Sequence, residues 1–135
     1  MTAGYSGTPL GKKLGYREAM RVFVDGMPDP VRHAVEKSIE EKPTWQFVSE
    51  PDFDAAHIFV TARAALEDKL RALMPLLAPG SFIWVSWPKK ASKVPTDITE
   101  DTIREVCLPM GLVDVKVCAV DATWSGLKLM KRRTK

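Results

Sequence analysis

The chain has 135 residues, of which 45% are hydrophobic and 27% are charged, and its net charge is +3. This composition is typical of a globular protein, and the length suits one hydrophobic core, so we expect a single domain over residues 1–135. No run approaches the roughly 18 apolar residues that cross a bilayer, and the first four residues lack the pattern of a secretory signal. We therefore expect a soluble, cytoplasmic protein that has no membrane partner.

Cysteine spacing argues against disulfide-rich and metal-binding proteins, and the position of the positive charge predicts a basic tail. Cys107 and Cys118 fit neither a disulfide framework nor a metal-ligand spacing, so we interpret them as reduced, packed thiols and expect no metal site. Much of the positive charge lies towards the end of the chain, where residues from about 130 to 135 are predicted to form a solvated basic tail.

The first 40 residues predict an arm followed by a strand and a helix. Residues 1–15 contain four glycines and no periodic apolar pattern, so they are predicted to form an N-terminal arm with one helical turn that begins near Thr8-Pro9. Met20–Val24 predicts the first strand. Apolar residues at helical spacing predict an amphipathic helix from Pro30 to Ile39.

The middle of the chain predicts two strands of different kinds. Thr44–Val48 alternates between polar and apolar residues, which is typical of a half-covered edge strand, whereas Ala55–Val60 does not alternate and is predicted to lie inside the sheet. A helix is predicted from Ala62, and Pro75 marks its end.

The fourth predicted strand is the most hydrophobic part of the chain. Phe82–Trp87 is apolar on both alternating faces, as expected of a central strand covered by helices on both sides. After a basic loop, Thr99 is predicted to cap a helix that Gly111 ends. Val113–Val117 then alternates strictly, and residues 127–130 are close enough to pair with it as an antiparallel hairpin.

These patterns predict an α/β protein with a Rossmann-like, three-layer fold. Strands with alternating patterns belong at the edges and uniformly apolar strands belong inside, which gives a six-stranded, mostly parallel sheet of order 2-1-3-4-6-5 with strand six antiparallel. The layout resembles a shortened class I methyltransferase sheet. Fold alone does not establish function, and the glycine-rich turn of such enzymes is missing, since only Gly26 follows the first strand.

The carboxyl edge of this sheet is the predicted ligand site, because ligands of open α/β sheets bind there. Lysines cluster in the loop after the fourth strand, and the amides of the following helix start are expected to favour an anion as well. The turn before strand six lies at the same edge, where Asp121 is expected to pair with Lys89 or Lys90. The predicted ligand-binding residues are Lys89, Lys90, Lys93, Asp121, Thr123 and Trp124.

Three interpretations of this surface remain open. The first is a site for a small anionic or nucleotide-like ligand, and the simplest alternative is a solvated lysine loop. The second is a protein-interaction or regulatory surface that uses Trp87, the lysines, Trp124 and the N-terminal arm without catalysis. Nucleic acid is the least favoured partner. The sequence requires no catalytic activity and identifies no cofactor, and both His33 and His57 are interpreted as packed residues.

The chain also resembles a family of small bacterial proteins of unknown function. The resemblance spans nearly the whole chain and implies no activity, substrate or cofactor. It rests on these segments: Tyr5–Leu10, Lys13–Gly15, Trp87–Lys90, Val94–Asp97, Thr99–Glu100, Gly111–Asp114, Lys116–Ala119, Asp121 and Thr123–Leu127.

Overall fold

The computed structural model describes residues 9–17, 20–40 and 42–132. Six strands form one sheet of order β2-β1-β3-β4-β6-β5, in which β6 is antiparallel to both of its neighbours. This is the predicted order. The strands are β1 (Arg21–Asp25), β2 (Thr44–Gln46), β3 (Ala55–Phe59), β4 (Phe82–Pro88), β5 (Leu112–Ala119) and β6 (Trp124–Lys131).

Helices cover both faces of the sheet, as a three-layer sandwich requires. The buried residues form two clusters, one under the first two helices and one under the other two. The helices are α1 (Leu10–Lys13), α2 (Asp29–Ser38), α3 (Arg63–Leu73) and α4 (Glu100–Met110), with short 3-10 turns at Met74–Leu76 and Lys90–Ser92. Among the described residues, no helix is long and apolar enough to cross a membrane.

The central strand β4 joins the two clusters because successive side chains point to opposite faces. Ile83 and Val85 pack in the cluster under α3 and α4, and Trp84 packs in the cluster under α1 and α2. Every residue of β4 is buried, which agrees with its apolar pattern.

A buried polar chain fastens the N-terminal arm to this strand. The hydroxyl of Tyr16 lies 2.7 Å from His57 Nδ1, and Ser86 Oγ lies 2.6 Å from His57 Nε2. All three residues are buried. Burial lowers the pKa of His57 to about 3, so the imidazole is neutral at physiological pH, when it offers one donor and one acceptor to its two partners. His57 is therefore a packed residue, as predicted, whereas His33 is exposed on α2.

The predicted end of β2 and the predicted start of the tail differ from the structure. Strand β2 ends at Gln46, and the exposed fractions of Phe47 and Val48 are 65% and 64%, so the edge strand is shorter than its alternation indicated. The predicted tail begins too early, because β6 continues to Lys131 and the Arg132 amide donates to Gly111 O at 2.7 Å. The predicted helix cap at Thr8 and the first eight residues of the arm lie outside the described residues.

Candidate functional site

The carboxyl ends of β1 and β3 mark the topological switch point of the sheet. From β1 the chain crosses to β2 on one side, and it returns to β3 on the other, so the crevice between these strand ends is where ligands of such sheets bind. The turns that follow β1, β3 and β4 and the turn that precedes β6 all lie at this edge.

The turn after β1 is tightly packed against the end of β3. Gly26 has a φ of +75°, and a Cβ there would lie 3.3 Å from the carbonyl oxygen of Phe59. Glycine is therefore required by backbone conformation and by close approach to the protein itself. Beside the turn, Asp25 Oδ2 pairs with Lys69 Nζ at 2.5 Å. The cavity lined by Asp25, Ser49 and Lys69 measures about 70 Å³.

The loop after β4 holds the three predicted lysines on one short turn, residues 89–93, which we call the lysine turn. The Lys89 amide donates to Thr123 O at 2.8 Å, and Ser92 Oγ donates to Lys89 O at 2.6 Å. Lys93 closes the turn in the left-handed conformation, with a φ of +62°. Among the described residues, no carboxylate forms an ion pair with Lys89, Lys90 or Lys93.

A second set of contacts clamps the far side of this loop to the end of β3. Thr96 Oγ1 donates to Thr61 O at 2.6 Å, and the Arg63 amide donates to Asp97 Oδ1 at 2.7 Å. Helix α3 follows Ala62, which has no side-chain oxygen to cap it, so Asp97 caps the helix from 34 residues away. This role was not predicted from the sequence, because capping residues are sought next to the helix that they cap.

The turn before β6 lies beside the lysine turn, as predicted, but the contacts of Asp121 differ from the predicted ones. Asp121 Oδ1 accepts the amides of Thr123 and Trp124, each at 2.8 Å. The predicted ion pair between Asp121 and Lys89 or Lys90 is not present, and Asp121 instead closes its own turn through Oδ1. Trp124 packs edge-on against Phe59, with ring centroids 5.1 Å apart.

Two other predictions about this edge find less support in the structure. Thr99 Oγ1 accepts the Thr102 amide, and the acids Glu100 and Asp101 occupy the first turn of α4, so this helix end is less suited to an anion than predicted. Trp87, which was predicted to belong to an exposed interaction surface, is only 8% exposed because its side chain packs in the core. The available charge at this edge is therefore that of the lysine turn.

The cysteines and the acids after β2 show no sign of an activated or metal-binding group in the described part of the chain. Burial raises the pKa of the Cys107 thiol to about 11, and the pKa of Cys118 is raised by burial as well. Glu50 and Asp52, which follow β2, are exposed. Within the described ranges, no group of three histidine, cysteine or acidic side chains is placed to hold a metal ion.

Comparison with solved structures identifies the fold. The chain superposes on a SAM-dependent methyltransferase from Aquifex aeolicus with a TM-score of 0.61 at 15% identity, covering 89% of this chain and 86% of that one. A ribosomal protein L11 methylase from Lactobacillus delbrueckii subsp. bulgaricus gives 0.57 at 13% identity, over 92% and 76% of the two chains.

The fold is that of the Rossmann-like methyltransferases. The N-methyltransferase NodS from Bradyrhizobium japonicum WM9 is similar over 96% of this chain and 100% of that chain, with a TM-score of 0.54 and 12% identity. At these identities the likeness concerns the fold alone. No protein-family model and no curated protein matches the chain.

Among the described residues, the turn after β1 does not form an open cradle for S-adenosylmethionine. Pockets for ligands of this size usually measure about 300 to 1,000 Å³, whereas the cavity at the switch point measures about 70 Å³. Asp25 is occupied by Lys69, and Gly26 packs against Phe59 instead of facing open space.

Proposed function

We propose that the protein binds a small phosphate-bearing or nucleotide-like anion at the carboxyl edge of its sheet. The lysine turn carries the proposal. It holds three ammonium groups that no described carboxylate neutralises, on a backbone tied to the turn before β6 and to the end of β3. Lys89, Lys90 and Lys93 contact the ligand in this proposal, while Asp121, Thr123 and Trp124 shape the neighbouring turn.

Preorganisation is the physical reason to expect affinity from so few groups. A flexible lysine loop loses conformational entropy when it orders around a ligand, and that loss weakens binding. Here the hydrogen bonds of Lys89, Ser92 and Thr96 hold the backbone before a ligand arrives. The segments Trp87–Lys90 and Val94–Asp97, on which the family resemblance rests, form this turn and its clamp.

The site favours phosphates over S-adenosyl compounds on grounds of charge. A phosphate offers several anionic oxygens to ammonium donors, whereas S-adenosylmethionine carries a sulfonium cation. An interaction surface for another protein is less well supported, because Trp87 is buried and Trp124 packs on Phe59, which leaves lysines without an exposed aromatic anchor.

A thermal-shift screen tests the proposal. We would measure unfolding with phosphate, pyrophosphate, nucleoside mono- and diphosphates, and S-adenosylmethionine, all at one ionic strength. A ligand at 100 times its dissociation constant adds about 2.7 kcal/mol to the unfolding free energy. We expect stabilisation by one or more of the phosphate compounds and none by S-adenosylmethionine.

The matched variants remove the same charge at two places. The triple variant K89Q/K90Q/K93N removes the three positive charges of the lysine turn. Asparagine is chosen at position 93 because it tolerates the left-handed conformation. The control K37Q/K42Q/K131Q removes three exposed lysines elsewhere. Stabilisation that is clearly reduced in the first variant and unchanged in the control supports the site. Equal loss in both would show that net charge, and not the turn, is responsible.

A further inference from the structure

A second basic surface lies at the opposite end of the sheet, where the segment after α1 crosses the start of β4 and the end of β6. An open cavity of about 460 Å³ lies there, and its lining includes Lys12, Gly15, Arg17, Gly80, Phe82 and Lys128. We call it the basic cavity. Phe82 begins β4 and the lysine turn follows its end, so the length of this seven-residue strand, roughly 20 Å, separates the two sites.

The wall formed by the arm is fixed to the sheet. The indole of Trp84 donates to Leu14 O at 2.7 Å, and Lys116 Nζ donates to Lys13 O at 3.3 Å. Tyr16 is held by His57 at 2.7 Å. These contacts set the position of the residues between them, so the cavity exists without a ligand to shape it.

Positive charge lines this cavity without a described counter-charge. Among the described residues, no carboxylate pairs with Lys12, Arg17 or Lys128. Lys128 Nζ lies 4.3 Å from the centroid of the Phe82 ring. This cation–π contact stabilises the ammonium group but leaves its charge in place. Burial lowers the pKa of Lys128, and the charges of Lys116 and Arg17 lower it further. An anion bound in the cavity would offset the repulsion between Lys128 and the charges of Lys116 and Arg17.

Gly15 keeps the cavity open. Its φ is +82°, a conformation that other residues adopt with strain. A Cβ at this position would lie 3.4 Å from Phe82 Cζ and 3.8 Å from Lys128 Nζ, so any side chain would project towards the aromatic and cationic floor. The backbone therefore leaves space beside the ammonium group.

From this geometry we infer that the basic cavity is a second anion-binding site, which takes a small ligand bearing a phosphomonoester or diphosphate group. Three cations can balance a group with two or three negative charges, and guanidinium and ammonium donors both bind phosphate oxygens. The volume falls in the range of small-molecule sites, about 300 to 1,000 Å³. Phe82 offers an apolar surface for the remainder of the ligand.

Titration with pyrophosphate, followed by ¹⁵N NMR at constant ionic strength, tests the inference. The amides of Gly15 and Gly80 report on this cavity, because both glycines line it. We expect both amides to shift along one saturable curve. Removal of a charge-assisted contact is expected to weaken binding about tenfold or more in K128Q and in R17Q. R17Q changes an exposed residue, which keeps the test valid if K128Q is poorly folded.

Three controls decide between explanations. K89Q/K90Q/K93N should leave the response of the two glycines within about twofold, since the lysine turn is at the other end of the sheet. Glu18 follows Arg17 and lies outside the described residues. If Glu18 balanced the cations itself, the parent protein would show no saturable response to pyrophosphate whereas E18Q would, and this result would overturn the inference. Equal shifts with chloride, or shifts that only an oligonucleotide produces, would overturn it too.

Discussion

Mild acid should destabilise the protein through a single buried side chain, His57. Its pKa lies near 3 in the folded protein because burial penalises the imidazolium, whereas a histidine in the unfolded chain has a pKa of about 6.5. Between these values the unfolded chain takes up a proton that the folded chain does not. The unfolding free energy is therefore fully retained above about pH 7 and falls as the pH drops from 6.5 towards 3.

The magnitude follows from the gap between the two values. At pH 5 the solution is about 1.5 pH units below the pKa of the unfolded histidine. One unit corresponds to about 1.4 kcal/mol, so the unfolding free energy is expected to fall by about 2 kcal/mol. Because pH 5 lies well above the folded pKa, this figure depends almost entirely on the unfolded value. At pH 4 the loss grows to about 3 kcal/mol, although carboxylates also begin to contribute there.

Urea unfolding at pH 7.5 and pH 5.0 measures this loss. The variant H57Q keeps a donor and an acceptor for Tyr16 and Ser86, and it should abolish most of the difference between the two pH values. H33Q, which removes the exposed histidine of α2, should retain it. The same decrease in unfolding free energy for H57Q as for the parent protein would refute the reasoning. An NMR signal of the His57 ring that titrates near pH 6.5 in the folded protein would refute it as well.

Three further changes test the turns at the carboxyl edge by urea unfolding. D97A should cost about 1 kcal/mol through loss of the α3 cap, and D97N, which keeps an acceptor, should cost less; equal costs would contradict the capping role. D121A should cost about 1 kcal/mol and D121N little, because asparagine can also close the turn; a large effect of D121N would point to an ionic role for this side chain. W124A should cost about 2 kcal/mol, less than a fully buried tryptophan, because the indole is half-buried on Phe59; an unchanged midpoint would show that this contact is not stabilising.

Sheet order was predictable because the burial of a strand determines whether its apolar residues alternate with polar ones. The uniformly apolar β3 and β4 lie inside the sheet, and the alternating segments that became β2 and β5 lie at its edges. The end of β2 was not predictable in this way, since Phe47 continues the alternation but is exposed. An apolar residue at a surface gives the same sequence pattern as one that is covered.

Contacts between distant parts of the chain limited the prediction of the site. The lysine turn and the turn before β6 were placed at one edge correctly, since topology alone fixes which strand ends meet. Side-chain partners depend on atomic positions that topology does not determine. Asp121 was therefore assigned an ion pair, whereas in the structure its Oδ1 accepts the Thr123 and Trp124 amides. The role of Asp97 as a cap for a distant helix was missed.

The basic cavity was missed for a related reason. Lys128 sits between Leu127 and Leu129 in a strand predicted only as a hairpin partner. Lys12 belongs to the arm, whose packing position the sequence did not specify, and Arg17 follows it. Their proximity to Lys128 follows from two hydrogen bonds, Tyr16 to His57 on β3 and Trp84 on β4 to Leu14, which join residues 41 and 70 positions apart in the sequence.

Calorimetric titration of a nucleoside diphosphate into the variant K12Q/R17Q/K128Q tests the carboxyl-edge site most directly, because this variant removes the charges of the basic cavity. We predict saturable binding of one ligand per chain, and loss of that binding when K89Q/K90Q/K93N is added. Binding that is unchanged by the second set of substitutions, or no binding before they are made, would contradict a ligand site on the lysine turn.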